Sequence, residues 1–214
     1  MIHLHPNEIA FPDPQLYKTV NGLIACGGDL SPKRIWFAYQ NGIFPWFNPG
    51  EEILWWFPDP RFVLFPEKVK ISKSMSKILK SGQFTFTKNK CFREVMENCK
   101  TIARAEQNGT WISDELVESF LKLHQSGKAM SFEAWQNNEL VGGFYGIEVG
   151  SVFCGESMFA KVSNASKAVF LNFVLENKEK YSLIDCQIHS EHLESLGAEM
   201  IFSDEYLKLL KSKK

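Results

Sequence analysis

Apolar positions recur at helical spacing once within the first sixty residues, where Ile35, Trp36, Phe37 and Tyr39 follow Ser31-Pro32 and stop at Gly42. Ser as N-cap, Pro at the first helical position and Gly just past the end are helix punctuation. The next stretch, GIFPWFNPGEEILWWFPDPRFVLF, carries too much Pro for a regular sheet core. It predicts turns framing short edge strands at Ile53–Trp56 and Arg61–Phe65. Helices are expected over Ser72–Lys80 and Phe92–Cys99, with a strand Phe84–Thr87 between them. Ser113 caps a further helix that carries Leu116, Phe120 and Leu121 on one face and ends at Gly127. From Met130 the period shortens. Ser131–Gln136, Leu140–Val149 and Val152–Phe159, divided by Asn137-Asn138 and Gly150, read as a β-meander. A helix from about Asn164 to Glu176, a buried strand Leu183–Gln187, a short helix ending at Gly197, a strand Glu199–Phe202 and a lysine-tailed helix complete the order.

That order implies an α/β (α+β) protein, with a small N-terminal domain over residues 1–60 and a larger C-terminal domain over 61–214. Three strands, helix, strand, helix, strand resembles the second half of the acyl-CoA N-acyltransferase (GNAT-like) fold. Composition changes this picture little. The 214 residues suffice for a proper core, and 44% hydrophobic with 23% charged is ordinary for a soluble globular chain. No apolar run approaches the ~20 residues of a membrane span. The opening MIHLHPNEIAFPDP has neither the basic start nor the apolar stretch of a signal peptide. Five cysteines without a CxxC pair argue against a disulfide framework and a structural zinc site, so a reducing cytoplasm is expected.

Charge distribution adds more. The net charge is −1, but residues 61–104 hold 11 Lys/Arg against 3 Glu, a segment charge of +8, which leaves −9 for the rest. Such a basic leading segment suits a polyanion; the bland reading is a solvated lysine-rich surface.

Two polar clusters interrupt strands that should be apolar: Glu156 in VFCGESMF, and Asp185-Cys186-Gln187 closing SLIDCQ. A carboxylate at a central strand end is costly unless paired or functional, and two of them on neighbouring strands favour function. Alternation puts Asp185 and Gln187 on one face and Cys186 on the other, as a small core residue. A metal held by Asp185, His189 and His192, or a Cys186 nucleophile, are weaker readings, since no further ligand frame surrounds them. Acetyl-CoA as donor would need a Gly-rich loop before the central helix, where this chain has FAKVSNASKAVF. A non-catalytic RNA-binding module would leave Glu156, Asp185 and Gln187 unexplained.

Taken together, NGLIACGGDLSPKRIWFAYQNGIFPWF, ILWWFPDPR, GTWIS, ELVGGFYGIEVGSVFCGESMFAKVSNASK, LIDCQ and HLESLGA resemble the leucyl/phenylalanyl-tRNA–protein transferase family over nearly the whole chain. The resemblance implies a small N-terminal domain packed on an acyltransferase-like one. It also implies transfer of Leu or Phe, and Met less well, from aminoacyl-tRNA to a protein beginning with Arg or Lys, which marks that protein for the N-degron route. The donor is an activated ester, so no cofactor or metal is required. By resemblance Asp185 and Gln187 position and deprotonate the acceptor amine, and Glu156 lies near it. Trp46 and Trp111 match a stacking platform for the terminal adenosine. The side-chain pocket would be lined by Phe144, Phe153, Met158, Phe170, Phe173 and Ile184; periodicity alone would make all six core. Phe57 stands where the family motif more usually has Ser, and Phe144 and Phe170 are bulkier than the Met or Leu expected there, which implies a tighter pocket. Nothing obliges a dimer, so a monomer is the expectation.

Overall fold

Pro and Gly punctuate the first sixty residues so densely that their strands stay short. In the computed structural model, which describes residues 2–17, 19, 21–101 and 110–212, this part holds β1 (Ile2–Leu4), β2 (Leu23–Gly27), α1 (Pro32–Gln40), β3 (Phe44–Pro45) and β4 (Leu54–Trp56). They form a four-stranded sheet in the order β1-β2-β4-β3, with β1 parallel to β2 and the other pairs antiparallel. The Ser31 hydroxyl accepts from Arg34 N–H at 3.3 Å, so α1 starts where Ser-Pro predicts. The pattern of apolar positions does not disclose β1 and β2. LIACG is five residues without alternation, a length and texture that sequence periodicity cannot assign.

The remainder supplies β5 (Arg61–Leu64), a 3₁₀ turn (Pro66–Lys68), α2 (Lys73–Lys80), β6 (Thr85–Lys88), α3 (Phe92–Thr101) and α4 (Asp114–Gln125). The meander follows as β7 (Ala129–Gln136), β8 (Glu139–Val149) and β9 (Val152–Ala160). Then come α5 (Ala165–Asn177), β10 (Leu183–Gln187), α6 (Glu191–Glu194), β11 (Glu199–Ile201) and α7 (Ser203–Lys211). One seven-stranded sheet runs β11-β5-β10-β9-β8-β7-β6. β7, β8 and β9 are antiparallel, and α5 carries the chain over to β10, which lies parallel to β9. This is a mixed α/β architecture, a three-stranded meander followed by a crossover helix to a parallel strand.

The expectation of edge strands at 53–56 and 61–65 is overturned. β4 lies between β2 and β3, and β5 lies between β10 and β11. The reason is non-local: β11, which covers the outer side of β5, is contributed by residues 199–201.

Side chains alternate between two cores across the large sheet. One holds Phe132, Phe144, Phe153 and Ile184 with the inner face of α5. The other holds Tyr145, Ile147, Cys154 and Leu183 with α1, α3, α4 and the small sheet. α5 packs hard on β8 at Gly142, where an added Cβ would stand 2.7 Å from Ala165 Cβ and 3.1 Å from Ser166 N. The carboxyl ends of β9 and β10 open between these layers.

Candidate active site

Asp185 comes first, because its carboxylate is fully buried, 0% exposed, at the end of β10. A buried charge must be paired and hydrogen-bonded. Arg61, at the head of β5, donates from Nε to Oδ1 at 2.8 Å and from Nη2 to Oδ2 at 2.7 Å. The Tyr206 hydroxyl on α7 donates to Oδ2 at 2.8 Å, and Gln187 N–H donates to Oδ1 at 2.9 Å. The guanidinium lies over the Phe44 ring at 4.9 Å and the Tyr206 ring at 4.6 Å. Burial alone would lower the Arg61 guanidinium; the adjoining Asp185 carboxylate more than offsets this and holds it above its ordinary range. The assignment of residues 61–104 to a basic face therefore needs correcting at Arg61, which is 1% exposed and meets a carboxylate rather than solvent.

Pairing between β10 and β5 slips by one residue between Asp185 and Gln187. Gln187 takes φ 65, the left-handed region that a non-Gly residue seldom occupies outside constrained sites. Its amide turns to β9, where Nε2 donates to Glu156 Oε1 at 2.8 Å. Simple alternation beyond Cys186 thus gives way to a bulge that sends Asp185 to Arg61 and Gln187 to Glu156. Burial pushes the Glu156 carboxyl up to about 7, the Asp185 charge adding to it while Tyr39, Gln187 and Arg61 oppose it. The Tyr39 hydroxyl is itself buried without a well-formed hydrogen bond.

Glu156, Asp185 and Gln187 open onto a cavity of about 410 Å³. Of the residues expected around a substrate, Trp46, Trp111, Phe144, Met158, Phe170 and Ile184 line it too. Phe153 and Phe173 do not reach it. They are 0% and 1% exposed, 4.7 Å apart between ring centroids, and back Phe144 from behind at 6.1 and 5.2 Å. Trp46 leans on Trp56 at 5.7 Å, and Trp56 Nε1 donates to the Trp46 carbonyl at 2.6 Å. Gly109, which begins GTWIS, and residues 102–104, which end the basic segment, lie outside the described residues.

Metal binding and thiol attack find little support in this geometry. His189 Nε2 lies 3.0 Å from Glu194 and its ring 5.2 Å from Phe62, and Asp185 is engaged by Arg61 and Tyr206, so Asp185 and His189 are directed at different partners; the buried His192 Nε2 meets no hydrogen-bond partner among the described residues. Burial, with Asp185 nearby, pushes the Cys186 thiol far up, which leaves it protonated rather than nucleophilic.

Arg61, Tyr206 and Tyr39 escape a reading of the sequence. A signal for Arg61 exists: a lone charge heading the apolar run RFVLF, matching the lone carboxylate in SLIDC. Tyr206 carries none, since it sits on an amphipathic helix as any core tyrosine would.

Comparison with known proteins agrees over nearly the whole chain. Residues 63–211 match the family model described as leucyl/phenylalanyl-tRNA protein transferase, and residues 28–59 match the model of its N-terminal domain. The leucyl/phenylalanyl-tRNA–protein transferase of Flavobacterium johnsoniae is 57% identical over 207 residues, covering 96% of this chain and 97% of its own. The protein of that name from Escherichia coli O1:K1 is 48% identical, covering 98% and 89%. Among solved structures, a GCN5-related N-acetyltransferase-like protein from Streptococcus suis aligns over 75% of this chain and 59% of its own, at 14% identity and a TM-score of 0.37. That likeness is too slight to carry an argument.

Proposed function

The chain belongs to the leucyl/phenylalanyl-tRNA–protein transferase family, and we propose that its acceptors are proteins beginning with Arg or Lys, tagged with Leu or Phe, and less readily Met, for N-degron degradation. It is an aminoacyltransferase by that membership. We place its work in the cytoplasm, as a monomer. The observation that carries the reading is the meeting, in one cavity, of Glu156 bonded to Gln187 with an apolar wall and two tryptophans.

In this reading Trp46 and Trp111 hold the terminal adenosine of the donor, and Phe144, Met158, Phe170 and Ile184 receive its side chain. The acceptor α-ammonium meets Glu156 and the Gln187 carbonyl oxygen. A carboxyl near 7 is half-charged at neutral pH, so it can take the ammonium proton and return it. The freed amine attacks the ester carbonyl, the peptide bond forms, and the ribose oxygen leaves with a proton. Asp185 acts through others: with every oxygen engaged, it holds Arg61, Tyr206 and the Gln187 backbone in place. Glu156 also supplies negative charge for a basic first residue. The exposed Lys70, Lys73, Lys77 and Lys80, on and before α2, make no ion pair among the described residues and are placed to follow tRNA phosphates. Lys68, Arg93 and Lys100 are paired with Glu199, Glu118 and Asp114 and contribute less.

The test is transfer of labelled Leu from charged tRNA to a model protein beginning with Arg, beside the same protein beginning with Ala, with labelled acetyl-CoA as control donor. Label on the Arg protein alone is expected. Equal labelling of the Ala protein would overturn the acceptor rule; label from acetyl-CoA would overturn the donor.

A further inference from the structure

Three side chains of the small sheet converge at a point the transfer chemistry does not use. β1 and β2 pair in parallel with His3 opposite Cys26, and Glu52 approaches from the segment before β4. Cys26 Sγ lies 3.3 Å from His3 Nδ1, and the same Nδ1 lies 3.1 Å from Glu52 Oε1. All three ligand atoms fall within 4.8 Å of one another.

A thiol, an imidazole and a carboxylate thus converge, with both measured contacts meeting at one ring nitrogen. The thiol also faces the Glu52 carboxylate, so each of the three groups has the other two as neighbours. A cation at the common point satisfies all three groups at once. Bond lengths of ~2.0–2.3 Å place tetrahedral zinc ligands roughly 3.3–3.6 Å apart, close to the 3.3 and 3.1 Å found at His3, while the thiol and carboxylate lie within 4.8 Å of each other. The backbone also makes room for the ring. Gly27, at φ 73, approaches so closely that a Cβ would stand 2.9 Å from His3 Nε2.

We propose that His3, Cys26 and Glu52 bind one Zn²⁺, which clasps the first strand to the small sheet. Thiolate, imidazole and carboxylate together suit zinc, whereas calcium and magnesium take oxygen ligands. Cys26 is buried, but the His3 and Glu52 side chains are 71% and 47% exposed, so water has access to the fourth position. The thiol proton leaves to solvent on coordination. The clasp works beside another tether: Arg34 Nη2 donates to the carbonyls of His5 and Pro6 at 2.9 and 3.0 Å. Together they hold β1 and the start of the turn that follows it.

The experiment uses the full chain without a polyhistidine tag. Zn²⁺ is titrated in competition with a chromophoric chelator, and Co²⁺ serves as the spectroscopic probe. One zinc per chain is expected, with a higher Tm and a thiolate-to-cobalt charge-transfer band. Cys26→Ser should abolish the band and Cys91→Ser should keep it. Since Cys26 is buried and its replacement could disturb folding, His3→Ala and Glu52→Gln provide the independent arm; each should weaken zinc binding at least about tenfold without lowering the metal-free Tm. Retention of all zinc by the chelator, or equal affinity in wild type and both exposed-site variants, would overturn the proposal.

Discussion

The polar and apolar walls of the candidate-site cavity are held in place by different physics. On the polar wall each group sits where directed bonds put it: Asp185 accepts two bonds from Arg61, one from Tyr206 and one from the Gln187 backbone. On the apolar wall Phe144 and Phe170 meet edge to face at 5.6 Å, backed by Phe153 and Phe173. Removing one partner of a buried charge pair leaves the other charge stranded, whereas trimming a packed ring forfeits dispersion attraction in proportion to the atoms removed. The polar wall should therefore fail abruptly and the apolar wall gradually. Under the proposed function, the first wall decides whether transfer happens and the second which side chain is transferred.

The sharpest way to break this contrast is Asp185→Ala. It strands the Arg61 guanidinium, and the expected loss is about 3–5 kcal/mol of folding stability, together with most transfer activity. Denaturant unfolding reads the first and the labelled-Leu assay the second. The paired change Arg61→Met with Asp185→Leu should recover much of the stability and little of the activity. A single Asp185→Ala variant as stable as wild type would show that directed bonds do not hold this wall.

Glu156→Gln comes next in size. It preserves shape and the bond to Gln187 but removes the titrating group, so kcat should fall by about 10²–10⁴. The wild-type rate should rise with pH through about 7, as the carboxyl loses its proton, and that limb should vanish in the variant. Stability carries the opposite sign. The folded carboxyl, at about 7 against an ordinary value of 4.5, holds its proton more tightly than the unfolded one. Its contribution is therefore full below 4.5 and is lost as pH rises from there to about 7. Glu156→Gln lacks that loss, so its Tm relative to wild type should climb across this window. A pH-independent difference in Tm would mean that Glu156 titrates alike folded and unfolded.

What was legible in the sequence follows the same division. Glu156, Asp185 and Gln187 stood out because each is a polar residue interrupting an apolar strand. The partners that fix them did not, because Arg61 meets Asp185 across 124 residues of chain, and the bulge at Gln187 depends on pairing with β5. Meander and crossover helix were readable from local period and turn residues. Of the small sheet only β4 was, as a strand at 53–56 though not as an inner one, since β3 has two residues, β1 has three and β2 lacks alternation. Phe153 and Phe173 show a related gap: periodicity finds the residues of a wall but cannot separate its front from its back. His3, Cys26 and Glu52 are spread over about fifty residues and form no spaced motif, so the absence of a CxxC pair had no bearing on them.

The lysines of α2 belong to neither wall, which makes them a control on the contrast. Replacing Lys73, Lys77 and Lys80 by Gln should weaken tRNA binding to the same degree for Leu and Phe donors. The slope of log affinity against log salt should fall by about one for each phosphate no longer neutralised. An unchanged slope would remove this helix from the tRNA path, and unequal effects on the two donors would tie it to the side-chain wall.

The smallest expected effect tests the apolar wall itself. Phe170 is 3% exposed and meets Phe144 edge to face, and both rings line the cavity. Phe170→Leu removes ring volume where a donor phenyl would have to fit, while leaving Phe153 and Phe173 to hold Phe144. Folding stability should drop by about 1 kcal/mol, less than a truncation to Ala, because most of the apolar volume is kept. Discrimination by volume in an apolar pocket is worth about 1–3 kcal/mol for a methylene-sized change, so the Phe-to-Leu ratio of kcat/KM should rise about tenfold. Leu transfer should change little, and the pH limb assigned to Glu156 should stay where it was. A shifted pH limb would couple the two walls through more than shared space. An unchanged ratio with both donors slowed alike would make Phe170 a packing residue, and selection would then rest on Phe144 and Met158.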